Sequence, residues 1–119
     1  MPWGNDDYDN AIYKVIGQDL AKLSQCADVF SPMSYNLICS RDSEWIISLN
    51  RQVSSRVNRA VWPIVQATDE PRKMSAQEYA EVLKAGLSGG SSGIVVFNTE
   101  AALEPGKWQA QKDIFTHKE

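Results

Sequence analysis

The stretch Val61–Pro71 reads Val-Trp-Pro-Ile-Val-Gln-Ala-Thr-Asp-Glu-Pro and changes character within a few residues. Its first half is an apolar run of the length and composition of a strand covered on both faces, and its second half is polar, acidic and closed by proline. It predicts a strand that ends in a site. The same change occurs in Asp28–Asn36 (Asp-Val-Phe-Ser-Pro-Met-Ser-Tyr-Asn) and in Gly93–Glu100 (Gly-Ile-Val-Val-Phe-Asn-Thr-Glu). Helical patterns separate the three stretches, so the chain reads as a run of βα units whose polar residues gather at the carboxyl ends of parallel strands.

Four helices are expected around these strands. Ile12, Ile16, Leu20 and Leu23 recur at spacings of three and four, a stripe that Gly17 weakens by about 1 kcal/mol relative to alanine. Ile46, Leu49, Val53 and Val57 make a second stripe, with Asn58 suited to end it. Ser75-Ala76-Gln77-Glu78 is a capping box opening a third helix through Tyr79, Val82 and Leu83. Gly86, Gly89 and Gly90 then stop that helix and turn the chain toward the third strand. They follow a helix rather than precede one, which is the wrong order for a phosphate-cradling loop. The last helix is expected to start near Pro105 and to carry Trp108, Ile114 and Phe115.

Composition narrows the function classes. The 119 residues are 43% hydrophobic and 23% charged, ordinary for a single globular domain. A formal net charge of -3 with scattered Lys and Arg offers no basic field for a nucleic-acid backbone. No apolar run approaches the ~18 residues of a membrane span. Cys26 and Cys39 form no ligand set with the one histidine, His117, so neither a metal nor a cofactor is expected.

Three segments carry a family resemblance. Ser31-Pro32-Met33-Ser34-Tyr35, Trp62-Pro63-Ile64-Val65-Gln66-Ala67 and Gly89-Gly90-Ser91-Ser92-Gly93-Ile94-Val95-Val96-Phe97-Asn98 resemble strands six, seven and eight of glycoside-hydrolase-like TIM barrels of bacterial proteins. Met33 and Tyr35 also resemble the Met-x-Tyr-Asp motif of the chitinase family, which lines a sugar subsite. Asn36 stands in place of that aspartate, and Phe97 in place of the tryptophan usual on the last strand. The resemblance covers nearly the whole chain. It implies an α/β fold, a partial (β/α)8 TIM barrel formed as one domain by residues 1–119, with three parallel strands, four helices and Pro2-Trp3 at the exit of strand five. It further implies carbohydrate as ligand and, as partner, either the missing amino-terminal half-barrel or a second copy of the chain. The acidic Asp-x-x-Asp-x-Asp-x-Glu motif of strand four is absent from the 119 residues. The expectation is therefore a carboxyl-terminal barrel fragment that binds substrate and is inactive alone. The alternative is a non-catalytic structural or interaction module.

Glycoside hydrolysis needs two carboxyl groups, about 5–5.5 Å apart for retention and wider for inversion. Asp69 and Glu100 are the catalytic candidates at the strand ends. Glu70 adjoins Asp69, and an extended backbone turns the two in different directions. Asp69 is equally suited to cap a turn before Pro71. Trp3, Met33, Tyr35, Asn36, Gln66, Glu70 and Asn98 are candidates for substrate contact: the aromatic rings and Met33 as apolar platforms, the amides as groups that both donate to and accept from hydroxyls. Gln66 and Asn98 have an alternative role in stitching the strands together.

Overall fold

Parallel pairing runs through all three strand segments. In the computed structural model, which describes residues 8–116, the first segment supplies β1 (Val29–Phe30) and β2 (Met33–Ser34). The second supplies β3 (Ala60–Val61) and β4 (Ile64–Gln66), and the third supplies β5 (Val95–Phe97). β1 pairs with β3 in one sheet, and β2, β4 and β5 form the other in that order, every pair parallel. Throughout, the partner lies 31 residues on (29 to 60, 33 to 64, 64 to 95). The division into two sheets falls at Pro32 and Pro63, which have no N–H for a ladder. The chains stay aligned across it: Trp62 N–H donates to Phe30 C=O at 2.9 Å, Ile64 N–H to Pro32 C=O at 2.8 Å and Val95 N–H to Pro63 C=O at 2.9 Å. The described strands do not close into a barrel.

Among the described residues six helices, rather than four, accompany them. The expected first helix is two short ones, α1 (Ala11–Lys14) and α2 (Leu20–Leu23). Gly17 lies between them at φ +76°, a left-handed conformation that glycine adopts without steric cost, and Asp19 restarts the helix by accepting from Lys22 N–H. Ile12 and Leu20 are buried, whereas Ile16 and Leu23 are exposed, so only half of the expected stripe packs. Helix α3 (Ser43–Ser54) begins at Asp42, whose carboxylate accepts from Trp45 N–H, and ends before Val57, which is still buried. Helix α4 (Ala76–Gly86) has both bonds of its capping box. The short α5 (Thr99–Ala102) precedes α6 (Pro105–Thr116), whose proline stands at the first position as expected.

Alternation along the strands divides the sheet into two faces. Phe30, Val61, Val65, Ile94 and Val96 face the helices, where Leu20, Leu49, Val53 and Val57 form one core cluster and Ile46, Met74, Tyr79, Val82 and Leu83 another. Each fully buried aliphatic contributes about 1.5–3 kcal/mol. Helix α4 approaches so closely at Gly86 that an added Cβ would come within 2.6 Å of Ile94 Cδ1 and 2.9 Å of Val65 Cγ1. Asn50, fully buried on α3, ties the end of α4 in place through Nδ2, which donates to Gly86 C=O at 3.2 Å and Ser88 C=O at 3.0 Å. Gly89, at φ +72°, lies against Ile47 C=O, where an added Cβ would meet the oxygen at 2.4 Å.

The opposite face carries Val29, Met33, Tyr35, Trp62, Ile64, Gln66, Val95 and Phe97. No helix covers it. Val29, Trp62, Val95 and Phe97 are 36–46% exposed. The Trp62 indole lies over Gly93, where an added Cβ would approach Trp62 Cδ1 to 2.8 Å.

Candidate functional site

The carboxyl ends of the strands meet at one edge of the domain. Ser34 pairs with Val65 and Gln66 with Phe97, which sets Tyr35, Gln66 and Phe97 side by side on the open face. The Tyr35 and Phe97 rings lie 5.5 Å apart between centroids, tilted by 33°. That spacing is within the range of favourable aromatic pairs. Burial raises the Tyr35 phenol above its ordinary pKa, so the hydroxyl is protonated at neutral pH and can both donate and accept. Met33 lies on the same face one pleat below. The Phe97–Asn98 peptide bond is cis, as is Glu70–Pro71.

Most polar candidates at this edge are engaged within the protein. Gln66 has no exposed surface; its Oε1 accepts from Ile38 N–H at 3.3 Å, and its Nε2 donates to the carbonyls of Thr68 at 3.0 Å and Glu70 at 2.5 Å. It stitches the strand to two loops, with both amide protons spent. Asn98 caps α5, its Oδ1 accepting from Ala101 N–H at 3.0 Å. Asp69 turns toward the helices, where Oδ1 accepts from Met74 N–H at 2.8 Å and from Lys107 Nζ at 2.8 Å. The Lys107 bond, then the Met74 amide, hold its carboxyl below the usual aspartate range. Glu70 and Glu100 are exposed. Trp3 lies outside the described residues, as does His117.

Lys107 is the residue that sequence reasoning missed. It is 2% exposed, and its Nζ also donates to Ala67 C=O at 2.7 Å and lies 3.4 Å from Glu104. Helix α6 turns Lys107 inward and leaves Trp108 and Phe115 each 45% exposed. A lone lysine in a first helical turn gives no sign of burial, because the acceptors that admit it come from a strand end about forty residues earlier.

Asn36, at the start of the turn that follows β2, lines a cleft of about 550 Å³ between the β2–α3 loop and the β4–α4 loop. Leu37, Pro71, Met74 and Val82 supply its apolar part, and Arg41, Asp42, Arg72, Glu78 and Glu81 its charges. Arg72 binds both oxygens of Glu78, at 2.7 and 3.2 Å. That pair, with the Ser75 amide, brings the Glu78 carboxyl down to about 2. The Arg41 guanidinium stands 5.9 Å from the Trp45 ring, in cation–π range. Asn36 is 5% exposed, and its Oδ1 accepts no hydrogen bond.

Among the described residues, no group of three or more His, Cys, Asp or Glu is placed to hold a metal ion, and no helix is long and apolar enough to cross a membrane. Cys26 and Cys39 are both free thiols. No family model, curated protein or solved structure matches the chain.

Proposed function

We propose that the chain is the carboxyl-terminal part of a glycoside-hydrolase-like (β/α) barrel and that it contacts carbohydrate through the open face at its strand ends. The observation that carries this reading is the Tyr35–Phe97 ring pair, half-open to solvent, at the carboxyl end of three parallel strands. Ligands of parallel α/β folds bind at that end. Aromatic faces with an apolar neighbour such as Met33 suit the C–H faces of a sugar ring. The constant 31-residue step supports the barrel, since eight such units amount to about 250 residues, the size of a full one.

The partner in this reading is a set of parallel strands, from the other half of the barrel or from a second copy. Both outer edges of the described sheet can accept one. The carbonyls of Phe30 and Pro32 point inward to the second segment, so the missing N–H of Pro32 is not on the outer edge, and β5 carries neither proline nor charge.

Titration calorimetry with neutral oligosaccharides tests the site. Phe97→Ala and Tyr35→Ala are each expected to weaken binding about tenfold, equivalent to about 1.4 kcal/mol. Undiminished affinity in both variants, or no saccharide bound by the chain with or without its partner strands, overturns the reading. A second reading, a non-catalytic packing module, is favoured by the internal engagement of Asp69, Gln66 and Asn98. Reconstitution with an amino-terminal half-barrel separates the two: hydrolysis lost in Glu100→Gln supports the first, and assembly without hydrolysis supports the second.

A further inference from the structure

We propose that the cleft between the β2–α3 and β4–α4 loops is a second contact site for a neutral, polyhydroxylated ligand of the size of a mono- or disaccharide. The proposal rests on the carbohydrate reading and extends it to the turn that follows β2.

Size and lining both bear on the ligand class. A volume of about 550 Å³ lies within the ordinary range of small-molecule sites. Leu37, Met74 and Val82 offer an apolar floor for a ring's C–H face. The charges above it nearly balance, with two guanidinium groups against three carboxylates. A phosphate or sulfate would be desolvated beside Asp42 and Glu81, and an amine beside Arg41 and Arg72, whereas hydroxyls that both donate and accept are matched by either sign. Arg72 and Glu78 hold one another in a planar, bidentate pair, so this wall is fixed before a ligand arrives.

Asn36 supplies the independent sign of an absent partner. A carboxamide 95% buried with an oxygen that accepts nothing is costly to the folded protein, by about 1–3 kcal/mol, unless a donor completes it. Exchange of the two amide ends, or a small side-chain rotation, presents that acceptor to a hydroxyl in the cleft. Tyr35 lies against Phe97 whereas Asn36 opens the turn that follows β2 and lines the cleft, so the aromatic pair and the cleft have separate linings and are occupied independently.

The test is a titration of the isotopically labelled chain with cellobiose, followed through its amide resonances. Saturable shifts at Asn36, Leu37, Ser43 and Glu81 with a millimolar dissociation constant are expected, weakened about fivefold in Glu81→Ala and more in Asn36→Ala. Glu81 is exposed on α4 and alanine favours a helix, so the first variant keeps its fold. Shifts confined to Met33, Tyr35 and Phe97 would overturn the cleft and leave the carbohydrate reading standing. Shifts at the cleft with inorganic phosphate but not with cellobiose would overturn the neutral ligand class, and cellobiose moving no amide would overturn both.

Discussion

Replacing Lys107 by alanine removes the cation shared by the Ala67 carbonyl and the Asp69 carboxylate; the Ala67 carbonyl is left facing a void, while Asp69, 32% exposed, keeps its bond from Met74 N–H. The chain is expected to lose about 3 kcal/mol in denaturant unfolding, within the range for breaking a buried pair from one side. Asp69→Asn is expected to cost less, because the amide oxygen still accepts from Met74 N–H. It should also change the acid limb of stability. The Asp69 pKa is lower in the folded protein than in the unfolded chain. Its contribution is therefore complete above the unfolded value, about 3.9, and disappears as the pH falls below it through the folded value. Melting temperature recorded between neutral pH and about pH 3 should fall less steeply in Asp69→Asn than in the parent, and parallel curves would show that the pair is not coupled to folding. Glu78, brought down to about 2 by Arg72 and the Ser75 amide, acts in the same direction, over a window that opens below the unfolded glutamate value of about 4.3.

The packing of α4 concentrates in three residues. Ser75→Ala removes the cap that receives Glu78 N–H and is expected to cost about 1 kcal/mol. Asn50→Ala removes the donor to the Ser88 carbonyl at the other end of the helix, while the Gly86 carbonyl keeps its bond from Ser91 Oγ, and a loss of about 1–3 kcal/mol is expected. Gly86→Val drives a branched side chain into Val65 and Ile94 and should cost about 1–3 kcal/mol despite the better strand and helix packing a larger residue usually gives. Denaturant midpoints of the three variants rank these effects, and a neutral Gly86→Val would mean that α4 does not sit against the sheet as described. Much at this scale was legible in advance: the capping box lies in four consecutive residues, and proline at the start of α6 follows from local geometry alone. The first helix was not, because its stripe continued across Gly17 and nothing in the spacing showed that this glycine would take a positive φ.

For the molecule as a whole, the uncovered face is the governing feature. Val29, Trp62, Val95 and Phe97 leave an apolar surface of the kind that marks an interaction site. Association is expected in sedimentation equilibrium. A charge on the outer strand of the face, Val95→Lys, is expected to shift the distribution toward monomer with little change in melting temperature, since Val95 is 40% exposed and outside the two core clusters. A parent that is monomeric at all concentrations, with unchanged behaviour in Val95→Lys, would remove the case for partner strands. The candidate site was legible only in outline: Tyr35 and Gln66 were expected at one edge and are there, but the aromatic partner, Phe97, was noticed only as a departure from a motif. Gln66, Asp69 and Asn98 could not be assigned between ligand and scaffold, because the same amide or carboxylate serves either and the choice depends on which backbone groups lie within 3 Å.

Local order in the chain determined the parallel βα succession and the capping box, since periodicity and turn chemistry act over a few residues, whereas the apolar runs read as strands covered on both faces and did not show that one face is open. Tertiary structure alone decided that Lys107 is buried and Trp108 exposed, that Asp69 serves the helices, and that Tyr35 meets Phe97, because each depends on groups brought together from distant positions whose mutual desolvation no local pattern records.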